Sequence, residues 1–94
     1  MLREIEKLNI VNEGYKHNVS LSRIYVNVDN IVSIANYDGA HTFLLSEGIT
    51  TYSNKSFSLI KINLGKETEE IIALGSAAEI HAAFYPKDRG LLNG

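Results

Sequence analysis

The sequence contains no cysteine and no tryptophan, and only one proline and one methionine among its 94 residues. Without cysteine there are no disulfide staples, thiolate nucleophiles, iron–sulfur clusters or cysteine-ligated zinc. Positive charge is also scarce, with 9 Lys and Arg against 11 Asp and Glu, so a net charge of -2 supplies no basic field for a polyanion. No apolar run approaches the ~20 residues that a membrane-crossing helix needs. The first 15 residues interleave apolar positions with Arg3, Glu4, Glu6, Lys7 and Glu13 rather than forming a secretory leader. These absences lead to the expectation of a cytoplasmic chain with no membrane partner, no metal and no cofactor.

What is present is a small domain's worth of apolar residues, 45% of the chain. A domain this short hides only about 60–65% of the surface of its unfolded form. Its pattern is that of several short strands. An opening strand is expected over Ile5–Val11, and Glu13-Gly14 punctuates it. Tyr15, His17, Val19 and Leu21 then alternate with polar residues, as on a half-buried strand. Ile24, Val26 and Val28 continue on the opposite parity, which predicts a bulge or turn near Ser22-Arg23. Ile31–Ala35 is a further strand, and Asp38-Gly39 reads as a hairpin turn. Thr42–Leu45 and Ile49–Tyr52 around Ser46-Glu47-Gly48 read as another hairpin. Phe57–Leu64 and Glu69–Leu74 complete the set, with Ile60, Ile62 and Leu64 on one face and Phe57 and Leu59 on the other.

The end of the chain carries the most specific local signal. Ser76 with Glu79 three residues later is a capping box, Ala77, Ile80 and Phe84 form one helical stripe, and Pro86 stops the helix. The predicted fold is therefore a small β-rich α+β domain over residues 1–86. It comprises a mainly antiparallel sheet or incomplete barrel and one short C-terminal helix near 76–85, followed by a solvated tail at 87–94. One such helix covers only part of one sheet face, whereas several strands are apolar on both. This predicts a homo-oligomer.

Ile24-Tyr25-Val26-Asn27-Val28-Asp29-Asn30-Ile31-Val32-Ser33-Ile34 resembles the strand–turn–strand opening of the short bacterial flagellar and swarming-motility proteins. Leu64-Gly65, Ile71-Ile72 and Ser76-Ala77-Ala78-Glu79-Ile80 are similar to their ending. The resemblance implies a strand pair with a capped helix and carries no functional residue across. The Asp38–Phe57 segment is longer than that pattern.

Among chemical candidates, His17, His41 and His81 lack metal-ligand spacing, Gly-x-Ser-x-Gly is missing, and the isolated glycines form no phosphate loop. The stretch Ser46–Ser58 differs in texture, being rich in small hydrogen-bonding residues. Ser53, Asn54, Lys55 and Ser56 could grip a small anion through hydroxyls, amides and an ammonium, with Tyr52 as a stacking surface and His41 at a nearby loop edge. The expected function is a non-catalytic binding protein that captures a protein partner or a small anionic ligand, by analogy a phage-type inhibitor or a protein sequestering a nucleotide signal. Two alternatives remain open. One is a regulatory nucleic-acid-binding module stacking bases on Tyr15, Tyr25, Tyr37 and Tyr52 beside Lys16, Arg23, Lys55 and Lys61. The other is a small hydrolase using His41 with Asp38.

Overall fold

Gly14, at φ +64, opens the two-residue turn that joins β1 (Leu2–Glu13) to β2 (Lys16–Asn27). A positive φ at the first turn position matches the right-handed twist of a hairpin. The computed structural model describes residues 1–86, so the tail expected at 87–94 lies outside the described residues. β1 extends beyond the expected Ile5–Val11 at both ends. Its pairing with β2 runs unbroken from Leu2↔Asn27 to Glu13↔Lys16. The bulge expected near Ser22-Arg23 is therefore absent, since Lys7↔Ser22 and Glu6↔Arg23 stay in register.

The change of phase has another cause. His17, Val19 and Leu21 turn toward one face of the hairpin, and Ile24 and Val26 toward the other, because each face is covered at a different place along the strands. A 3-10 turn at Val28–Asn30 leads into β3 (Ile31–Asn36). After it come α1 (Gly39–Ser46), β4 (Phe57–Asn63), β5 (Thr68–Leu74) and α2 (Ala77–Phe84). The sheet order is β2-β1-β5-β4-β3, antiparallel at every junction.

α1 corrects the sequence reading. Asp38-Gly39 is not a hairpin turn but a helix start, and Thr42–Leu45 is helical rather than extended. Ala40 and Leu44 are buried, with Phe43 partly buried beside them, which is the spacing of a helical stripe. The described residues thus hold two α-helices where the sequence reading expects one. α2 forms as read: Ser76 Oγ accepts from Glu79 N–H at 3.1 Å, and Glu79 Oε1 accepts from Ser76 N–H at 2.9 Å.

Two cores follow. On one face Ile80 and Phe84 of α2 pack on Ile5, Val26, Ile60 and Ile71; on the other Ala40 and Leu44 of α1 pack with Leu8 and Phe57. The second face, for which a partner chain was expected, is covered at least in part by α1.

The sheet is also strongly curled. The three residues Val28–Asn30 connect its two edge strands. Asn27 and Ile31 are then at most about 14 Å apart along the chain, whereas a flat sheet would separate its edges by about 19 Å. Tyr85 Oη donates to Val28 O at 3.0 Å and fastens this junction to the end of α2. The fold is a small β-rich α+β domain, as the sequence indicates, with its sheet open but bent toward α2. Among the described residues no helix is long and apolar enough to cross a membrane.

Candidate functional site

An open cleft of about 540 Å³ lies where the end of β3, the start of α1, the loop before β4 and the start of α2 meet. The frame is held by the backbone. Tyr37 N–H donates to Phe57 O at 2.9 Å and Gly75 N–H to Ser56 O at 2.8 Å. Asn36 Oδ1 accepts from Ala77 N–H at 2.8 Å, joining β3 to α2. Ser58, fully buried beneath the loop, donates its hydroxyl to Gly75 O at 2.7 Å.

Into this frame the chain brings five of the six residues singled out from the sequence: His41, Ser53, Asn54, Lys55 and Ser56 all line the cleft. None of their side chains enters a hydrogen bond or ion pair among the described residues. Tyr52 is the exception. It packs on the α1 core instead of facing the cleft, so it offers no stacking surface there. Its backbone sits at φ +66, an uncommon conformation for an aromatic residue, and it is the point at which the loop turns. Lys55 N–H closes that turn on Tyr52 O at 3.0 Å. The strained residue thus directs its ring inward while the next four residues face outward.

Sequence reasoning missed Asn36, Tyr37 and Ser76 as cleft residues. The helical spacing Ala40–Phe43–Leu44 was the available signal, because it would have moved Asp38 from a hairpin tip to a helix entrance. Asp38 also lines the cleft, and its carboxylate makes no cap bond to α1. The electrostatics are mixed: one ammonium, one carboxylate and one imidazole sit among hydroxyls and amides. Glu79, at the neighbouring cap, has its carboxyl held below the ordinary range chiefly by the Ser76 backbone N–H and then by the Ser76 side chain.

The other candidates are dispersed. His17 Nδ1 lies 2.6 Å from Glu47 Oε1, with its ring edge-on to Phe43, and His81 is exposed on α2 beside Tyr85. Tyr37 and Tyr52 pack on the α1 core, Tyr25 Oη donates to Glu4 at 3.2 Å, and Tyr15 stands fully exposed at the hairpin turn. Among the described residues no group of three or more His, Asp or Glu side chains gathers in a way that could hold a metal ion. Comparison of the chain with protein-family models, curated proteins and solved structures finds no match.

Proposed function

We infer that this chain is a non-catalytic binding protein that captures a small anionic ligand in the cleft between α1 and residues 53–56. The observation that carries this reading is the convergence on one cavity of about 540 Å³ of the side chains of His41, Ser53, Asn54, Lys55 and Ser56, none of which makes a hydrogen bond or ion pair among the described residues. That volume lies within the usual range for small-molecule sites. Lys55 supplies a point charge for an anionic group, and the hydroxyls and amide satisfy its remaining lone pairs. Asp38 favours a ligand that also carries hydroxyl or amino donors, which is the chemistry of a nucleotide more than of a simple anion.

Isothermal titration with a nucleoside monophosphate, a cyclic dinucleotide and inorganic phosphate tests this. Binding is expected for a nucleotide, with Lys55→Ala weakening it by roughly tenfold, about 1.4 kcal/mol. Amide NMR shifts should be confined to residues 36–41, 53–57 and 76. Silence toward every probe, or affinity unchanged in both Lys55→Ala and the Ser53→Ala/Ser56→Ala pair, sinks the reading. Turnover of a probe that disappears in folded His41→Ala would replace it with the hydrolase alternative, because Asp38 and His41 line the same cleft.

A further inference from the structure

Among the described residues the sheet has two open edges, β2 and β3, and they are protected differently. β2 carries Lys16 and Arg23, and the Arg23 guanidinium lies 3.3 Å from Glu4 and 3.8 Å from Glu6 on the neighbouring strand. Charges of this kind discourage strand-to-strand association. β3, Ile31-Val32-Ser33-Ile34-Ala35-Asn36, has no charged side chain, and Val32 is 57% exposed at an irregularity in its pairing with β4. Because Tyr37 N–H points inward to Phe57 O, the alternation of an antiparallel ladder turns the backbone groups of Ile34 and Asn36 outward. A groove of about 510 Å³ runs beside this edge, with Val32 and Ile34 on one side and Ala77, Ala78, His81 and Tyr85 of α2 on the other.

We propose that a second copy of this chain adds here, β3 against β3 about a two-fold axis, so that one antiparallel sheet runs through both chains. Charge selects the occupant. The strand that fits an uncharged edge beside a largely apolar groove is itself short, apolar and uncharged, and β3 has that composition. The two-fold sets neutral residues opposite neutral residues and brings the α2 flanks together at Ala77 and Ala78, whose small side chains allow close approach. β2 paired with its own copy would instead crowd Lys16 and the Arg23–Glu4/Glu6 ion pairs at the seam, charges of the kind that protect an edge. β3 paired with β2 of another copy is a head-to-tail contact that does not close and propagates into a filament. The β3 dimer closes, and it covers Val32 and the outer face of Tyr85. The proposal is independent of what the cleft binds.

Sedimentation velocity and native mass spectrometry of the full chain over a wide dilution series provide the test. The expected result is a monomer–dimer equilibrium. Val32→Lys should weaken it by roughly tenfold or more, whereas Tyr25→Lys on the β2 edge leaves it unchanged. Ala78→Arg, at an exposed position on the α2 flank, should weaken the dimer similarly and decides the matter if circular dichroism shows that Val32→Lys has not folded. A monomer at every concentration, an open-ended series of oligomers, or a dimer indifferent to both groove substitutions overturns the proposal.

Discussion

A Cβ built on Gly39 would stand 2.6 Å from Cζ and 2.7 Å from Oη of Tyr37, closer than real side chains approach one another. Gly39 is therefore required by a neighbouring ring, whereas Gly14 is required by its backbone angle with open space around it. The Tyr37 ring is partly buried, packed against the α1 core on one side and lining the open cleft on the other, so accommodating a Cβ means displacing a packed ring. Two effects compete in Gly39→Ala. Alanine improves helix propensity by up to about 1 kcal/mol, and overpacking against Tyr37 costs about 1–3 kcal/mol. Overpacking should win in the wild-type background. In a Tyr37→Ala background the same substitution should become neutral or stabilising, and urea unfolding of the four proteins of this cycle reads that reversal of sign.

At the scale of the element, α2 is stabilised by its cap. Ser76→Ala removes one half of the box and should cost about 1 kcal/mol. Glu79 makes the other half pH-dependent. Its folded carboxyl lies below the ordinary range, so its stabilisation is present above the unfolded carboxylate range and is lost as pH falls through the lower folded value. Thermal melts should show Glu79→Ala less stable than wild type at neutral pH, with the gap closing in acid. This cap was legible in the sequence because its partners are three residues apart. The two faces of β4 were legible for the same reason, through strict alternation. α1 was obscured rather than absent from the sequence: Thr42 and Phe43 favour strands and follow an Asp-Gly pair that reads as a turn, while the helical spacing of Ala40, Phe43 and Leu44 that packs on Leu8 and Phe57 spans only about one turn. The polar texture of Ser53–Ser56 announced half of the cleft; Asn36 and Ser76 form the rest, and only the sheet order brings them there.

At the scale of the whole molecule, whose described residues span 57 Å in their longest dimension, the β1–β2 hairpin is a long arm. It joins the rest of the sheet through the register pair Lys7↔Ala73, and beyond that seam α1 supports it on one face through Val19, Leu21 and the His17–Glu47 contact. Its other face there is polar, with Asn9 bonded to Ser22 at 2.8 Å. Hydrogen exchange should therefore be graded along the arm, fastest next to Gly14 and slowest beside Ile5. His17→Ala should raise exchange between Asn9 and Ser20 while leaving Ile60 in β4 unchanged. Uniform exchange through arm and sheet would show that the hairpin opens only with the whole domain. The three-residue link at Val28–Asn30 bears on that seam as well. A hairpin lifted from β5 stays leashed within a few residues of β3, so re-docking is an intramolecular event at an effective concentration of about millimolar or above. A contact that is weak between separate pieces can remain shut on such a leash, and the narrow β1–β5 junction need not be strong to persist.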